Sequence, residues 1–194
     1  MLHFRGSAPA QAVCAWAGPQ DWFARAAGFP IGKRFKSARV ARVCDGNPLH
    51  LGHQARADGR WRLYAFADVD GSGLDAWAQW LAGGDDSPVV RYTPEGADVD
   101  SVFDVRAIYQ QAHEDVDLMA VPAVFKPEVG PFRLTYLEKV YARLSEDEDI
   151  FAERAIDRGG AVVVARPDQY VAHVLPLHDT AALAAFFERN LLSR

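Results

Sequence analysis

Asp68-Val69-Asp70-Gly71-Ser72-Gly73, with Asp75 just beyond it, carries carboxylates at the spacing of a cation-binding loop. Its first six positions match a calcium loop of the EF-hand type. The match then fails: Asp75 takes the apolar eighth position, Gln79 replaces the bidentate glutamate at the twelfth, and a strand rather than a helix precedes it. Gly71-x-Gly73-x-x-Ala76 also has the form of a phosphate-cradling turn. There the three aspartates repel a phosphate, and the expected role of the turn is to cap a helix with carboxylates. His50 and His53 are a second candidate pair. On a strand they point to opposite faces and share no metal unless the chain bends at Gly52. His113-Glu114 lacks the second histidine of HExxH, and Ser37, Ser72 and Ser87 show no G-x-S-x-G elbow. His173 falls on a predicted strand, where a packed histidine is the expectation. Cys14 and Cys44, 30 residues apart, are neither a CxxC pair nor a zinc site. The side chains taken together predict no catalytic residue, no cofactor and no metal; Asp68, Asp70, Asp75, His50 and His53 remain as pocket or ion candidates.

The elements that must position these groups follow from apolar patterning. Ala38 to Cys44 reads as a strand, Asp45-Gly46-Asn47-Pro48 as a turn, and Leu49 to Ala57 as the returning strand. Arg60 to Asp68 reads as a central strand. Gly71-Ser72-Gly73 opens a helix with Leu74, Trp77, Ala78 and Leu81 on one face, leaving Trp80 for solvent or an interface. Val102 to Gln110 is the next strand. Between residues 111 and 158 the pattern weakens: Val121 to Pro131 carries three prolines and excludes a helix, whereas Leu134, Leu137, Val140, Tyr141 and Leu144 have helical spacing. Ala161 to Ala165 is an unbroken apolar run suited to a strand buried on both faces. Arg166-Pro167-Asp168-Gln169 is a hairpin turn, and Tyr170 to Leu175 returns. Asp179 or Thr180 caps a closing helix bearing Leu183, Phe186, Phe187 and Leu191. The order ββ, βαβ, insertion, ββα predicts an α/β fold with a mixed, thioredoxin-like sheet, an N-terminal hairpin extension and a long irregular insertion. Residues 1–30 read as a lead-in, and 31–194 as the domain.

The 194 residues carry a net charge of −5, 49% hydrophobic and 24% charged residues. The acidic balance and the short basic cluster Lys33-Arg34-Phe35-Lys36 with Arg39 and Arg42 argue against nucleic acid, which needs a clustered basic surface. No apolar run approaches the length that spans a bilayer, and the alanine-rich N-terminus is too weakly apolar for a signal peptide. Cysteine usage suits a reducing cytoplasm.

Gly32 to Asp68, Phe103 to Gln111 (FDVRAIYQQ), Asp149 to Arg158 (DIFAERAIDR) and Val162 to Leu177 (VVVARPDQYVAHVLPL) occur in an order that resembles one known domain. It is the C-terminal domain of phenol-hydroxylase-type flavin monooxygenases, the group that includes phenol 2-monooxygenase and 3-hydroxybenzoate 4-monooxygenase. The turn of Arg166, Pro167, Asp168 and Tyr170 is a marker of these hydroxylases. The resemblance covers about residues 30–194 and implies a thioredoxin-like domain that contributes to dimer contacts and lacks thiol chemistry. Thiol work needs a low-pKa cysteine at the helix start after the first core strand, and that place here reads Asp68 to Gly73, without sulfur. The family's FAD-binding segments have no counterpart in residues 1–30, so the resemblance implies a free-standing copy to which no flavin-binding or catalytic residue is carried over. The expected partners are a second copy, as a homodimer, or a flavin monooxygenase. The competing expectation is a small-molecule-binding protein or minor enzyme whose pocket gathers His50, His53 and His113 or the Asp68–Asp75 loop.

Overall fold

A computed structural model describes residues 20–192, so Cys14 and most of the lead-in lie outside the described residues. The elements in chain order are α1 (Gln20–Ala24), β1 (Arg39–Arg42), β2 (Pro48–His50), β3 (Trp61–Phe66), α2 (Ser72–Gly83), α3 (Pro88–Tyr92), β4 (Phe103–Ala112), β5 (Glu128–Val129), β6 (Leu134–Thr135), β7 (Val140–Arg143), α4 (Ile150–Glu153), β8 (Ala161–Ala165), β9 (Val171–Leu175) and α5 (Thr180–Asn190). Seven strands form one mixed sheet in the order β2-β1-β7-β4-β3-β8-β9, and β5 and β6 form a separate ribbon. The expected ββ, βαβ and ββα blocks thus occur in the expected chain order.

β3 is central because it is apolar on both faces over most of its length. It pairs in parallel with β4, placing Arg62 opposite Asp104 and Tyr64 opposite Arg106. It pairs antiparallel with β8, whose five residues are all buried. On one face Leu63, Ala65, Val105, Val162 and Val164 pack under α2 and α5 through Leu74, Trp77, Leu81, Leu183 and Phe187. On the other, Tyr64, Phe66, Ile108, Tyr141 and Val163 pack against Ala26, Phe29, Leu51, Ile150 and Phe151. Both faces are covered, as the near-continuous apolar strands require.

The second face is built partly from the N-terminal stretch. Ala26 and Phe29 are buried, and the Gly28 amide donates to the Arg154 carbonyl at 2.8 Å. A Cβ on Gly28 would lie 2.4 Å from that oxygen, so only glycine fits the approach. Farther on, Gly32, Lys33 and Phe35 exchange backbone hydrogen bonds with Gln169 and Val171, which covers part of the exposed edge of β9. Lys33 and Arg34 of the basic cluster lie along this edge, where charged side chains discourage further strand pairing, whereas Arg39 and Arg42 stand on β1 toward the other end of the sheet. Phe35 stacks between Phe29 and Tyr64, at 4.6 and 4.2 Å between ring centroids.

Two expectations are corrected. Leu134 to Leu144 forms β6 and β7, not a helix. Leu134 and Leu137 are exposed while Val140 and Tyr141 are buried, so no continuous apolar helix face exists; Val140-Tyr141-Ala142 instead satisfies the free edge of β4. Leu49 to Ala57 is a strand only to His50. There the chain turns into a 3-10 helix, Leu51–Gln54, with the Gly52 amide donating to Ser37 Oγ at 3.0 Å.

Candidate functional site

The Asp68–Asp75 loop follows β3 and opens α2. Asp68 Oδ2 accepts from the Gly73 amide at 2.9 Å and Oδ1 from the Leu74 amide at 3.1 Å. Asp70 Oδ1 accepts from the Ser72 amide and hydroxyl at 3.0 and 2.8 Å. These bonds hold the Asp70 carboxyl below the usual carboxylate range, whereas burial and the nearby Asp68 charge push Asp75 up. The Asp68 and Asp70 carboxylates serve the orphan amides of a helix start, the capping role expected of this turn. No group of three or more histidine, cysteine, aspartate or glutamate side chains among the described residues is placed to hold a metal ion.

Gly160 stands beside this loop with φ of 82°. A Cβ there would lie 2.4 Å from Leu177 Cδ1, 2.8 Å from the Phe66 carbonyl oxygen and 2.9 Å from the Asp68 amide nitrogen. The helix start, the end of β3 and the lead into β8 therefore close tightly on one another.

The histidines come together only as a pair. His50 and His53 lie side by side on the surface, ring centroids 5.0 Å apart, because the chain bends at Gly52. His113 sits elsewhere, 3.0 Å from the Glu114 carboxylate. His173 is buried between Trp22 and Phe186, and burial lowers its pKa to about 4 against a weaker upward pull from Asp179. In the β8–β9 turn, Arg166 pairs with Asp168, the Tyr170 amide donates to Asp168 Oδ1 at 3.2 Å, and Gln169 takes φ of 68°. The Arg166 guanidinium lies over the Tyr170 ring, 5.6 Å from its centroid. Arg166, Asp168 and Tyr170 thus brace one another across the turn.

A larger constellation escaped the sequence reading. Asp104 is fully buried on β4 among three cations. Arg106 Nη2 donates to Asp104 Oδ2 at 2.8 Å; Lys139 Nζ lies 3.0 Å from Oδ1 and Arg62 Nε 3.0 Å from Oδ2. The last two are ion pairs without hydrogen-bond alignment. Arg106 also donates to Tyr141 Oη and to the Gln54 carbonyl, both at 2.8 Å. Arg62 reaches Asp58 at 2.7 Å, and Lys139 and Arg60 meet on Asp100 at 2.6 and 2.8 Å. Burial works against the Asp104 charge, but Arg106, Lys139 and Arg62 outweigh it and hold the carboxyl well below the usual range. Burial pushes Tyr64 beside them up to about 12, and Tyr141 higher still. A usable signal did exist. Arg62 and Tyr64 share one face of the predicted central strand, as do Asp104 and Arg106 of the next, and charges buried on adjacent strands must pair.

Clefts among the described residues include two that open to solvent. The larger, about 820 Å³, lies between the end of α2, the 96–99 loop and the β5–β6 ribbon. The smaller, about 300 Å³, is lined by Gly73, Trp77, Gly159, Leu177 and His178. Neither gathers His50, His53, His113, Asp68, Asp70 or Asp75, so these side chains do not converge on either cavity. No helix among the described residues is long and apolar enough to cross a membrane.

Known structures share this architecture. The thioredoxin domain of a thiol-disulfide oxidoreductase from Bacteroides vulgatus superposes with a TM-score of 0.53 at 11% identity, covering 84% of this chain and 99% of that one. A thiol:disulfide interchange protein from a Bacteroides species gives 0.52 at 13% identity, covering 84% and 90%. The fold is therefore thioredoxin-like, and at such identities the likeness shows the fold alone. Residues 11–194 match the family described as phenol hydroxylase, C-terminal dimerisation domain, and the chain belongs to that family. Among sequence relatives, 3-hydroxybenzoate 4-monooxygenase of Comamonas testosteroni is 51% identical over 173 residues, 85% of this chain and 27% of the relative. The FAD-dependent monooxygenase terD of Aspergillus terreus is 30% identical over 83% of this chain and 28% of its own length. The chain thus spans little more than a quarter of the curated relatives it matches.

Proposed function

We propose that the domain is a non-catalytic association module, holding two copies of its own chain together or docking on a FAD-dependent aromatic hydroxylase. The observation that carries this reading is the occupant of the redox position. In a thioredoxin-like fold the start of the helix after the first core strand is where a nucleophilic cysteine gains its low pKa. Here the helix starts at Ser72 without a cysteine, and the Asp68 carboxylate caps it with both oxygens committed to the Gly73 and Leu74 amides. Membership in a dimerisation-domain family supports the association half of the reading. Fold alone fixes no function, so the reading stands on the site and on family membership together.

Sedimentation velocity and light scattering on the 194-residue chain test it, alongside an insulin-reduction assay with dithiothreitol. The expected result is a dimer, or a stable complex with a purified FAD-dependent hydroxylase, with no disulfide reductase activity above background. A chain that stays monomeric at tens of micromolar and binds no such hydroxylase, or one that reduces insulin, would overturn the proposal.

A further inference from the structure

We infer that self-association runs through the β5–β6 ribbon, and that what covers the ribbon is the same ribbon of a second copy. This rests on the reading of the domain as an association module. Four of the nine exposed large apolar side chains among the described residues, Met119, Phe132, Leu134 and Leu137, fall between residues 119 and 137. Phe132 is 84% exposed and Leu134 67%. A lone exposed leucine needs no explanation, but a phenylalanine and a leucine two residues apart at the turn of the β5–β6 ribbon do.

The tip is built to present them. Gly130 and Arg133 both take positive φ, 72° and 49°, and the Arg133 amide closes the turn on the Gly130 carbonyl at 3.0 Å. Left-handed backbone at an arginine is costly and persists where the surroundings demand it. The ribbon has two residues per strand, forms no hydrogen bonds with the main sheet, and is tied down by the Gly130 amide donating to Asp98 Oδ2 at 2.9 Å. So short a hairpin is marginal alone and gains from packing against another surface.

Charge selects the occupant. Glu128 and Arg133 pair across the ribbon at 2.7 Å while staying exposed. Both signs thus flank the apolar tip. In a two-fold arrangement each Arg133 can meet the partner copy's carboxylate as readily as its own, which makes the patch self-complementary. A strongly acidic or basic partner finds no such match.

The test is sedimentation velocity on the 194-residue chain carrying Phe132→Ser with Leu134→Ser. The dimer dissociation constant is expected to rise at least about a hundredfold. Far-UV circular dichroism should not move, and the urea midpoint should match wild type when both are measured below the wild-type dimer dissociation constant, because neither side chain is buried in the single folded chain. Arg133→Glu alone is expected to weaken the dimer, and adding Glu128→Arg to restore it to within about threefold of wild type. A wild-type dimer that survives the double-serine change would overturn the inference and leave the association reading standing. A double-serine variant that keeps the dimer but loses capture of a purified FAD-dependent hydroxylase would assign the ribbon to that partner and overturn the inference too. A wild-type chain that neither dimerises nor binds a hydroxylase would remove both.

Discussion

Asp104→Ala is the sharpest perturbation the structure offers. The side chain is fully buried, and Arg62, Arg106 and Lys139 around it are nearly so. The three cations do not lose equally. Arg62 keeps Asp58, and Lys139 keeps Asp100. Arg106 keeps only the Tyr141 hydroxyl and the Gln54 carbonyl, so its charge is left buried without an anion. Breaking a buried pair in this way costs about 3–5 kcal/mol, a large part of the roughly 5–15 kcal/mol that stabilises a typical domain. With an m-value of about 2–3 kcal/mol/M, the urea midpoint should fall by about 1.5 M at constant slope.

The same geometry predicts a rescue. Asp104→Leu with Arg106→Met removes the anion together with the cation that depends on it, and such hydrophobic replacements are often neutral or stabilising. The double variant should therefore be more stable than Asp104→Ala by at least about 2 kcal/mol in a double-mutant comparison. Asp168→Ala, which breaks the exposed Arg166 pair, should cost no more than about 1 kcal/mol and serves as the control. The Asp104 contribution also has a pH signature. A carboxyl whose folded pKa is depressed stabilises fully above its unfolded value of about 4, and that stability is lost as the pH falls toward the depressed value. An Asp104→Ala chain within about 1 kcal/mol of wild type, or a double variant no better than the single, would refute the reasoning.

His173 gives a second pH window: its folded pKa of about 4 lies below the ordinary 6.5, so the neutral form stabilises the fold above 6.5 and the benefit shrinks as pH falls toward 4. Urea melts should show stability at pH 5 lower than at pH 7.5 by up to about 2 kcal/mol, with the difference largely gone in His173→Phe. Gly160→Ala forces a Cβ against the Phe66 carbonyl and Asp68 amide at positive φ, and thermal melts should register a loss of about 2–4 kcal/mol. Asp68→Ala frees the Gly73 and Leu74 amides and should cost about 1–2 kcal/mol by the same assay, with no measurable effect on association.

Apolar patterning and capping residues made most of the fold legible. Ala161 to Ala165 could only be a doubly buried strand, and Asp179 was readable as a cap, its carboxylate accepting from the Ala182 amide at 3.0 Å. What failed was local pattern overruled by tertiary demand. Leu134, Leu137, Val140, Tyr141 and Leu144 stand at helical spacing, yet the unpaired edge of β4 claims Val140 to Ala142 as a strand. The ionic cluster was hidden for a related reason: its members are spread over residues 58–139 and meet only because β3, β4 and the lead into β7 lie side by side. The ion candidates at Asp68, Asp70 and Asp75 were visible, but so was their simpler use as helix caps.

That simpler use bears on chemistry as well as on stability. The positive end of a helix depresses a thiol's pKa because its amide donors are free to stabilise a thiolate. At α2 the Gly73 and Leu74 amides already bond one carboxylate, and the Ser72 amide bonds another. A cysteine introduced at Ser72 would therefore meet committed donors and two nearby anions, both of which disfavour its ionised form. Ser72→Cys should keep a thiol pKa at or above the ordinary value of about 8.5, measured by thiolate absorbance against pH. Ser72→Cys combined with Asp68→Ala and Asp70→Ala should lower it by more than about one unit. If Ser72→Cys alone gave a thiolate at neutral pH, the carboxylates would not be what keeps this helix start from activating a nucleophile.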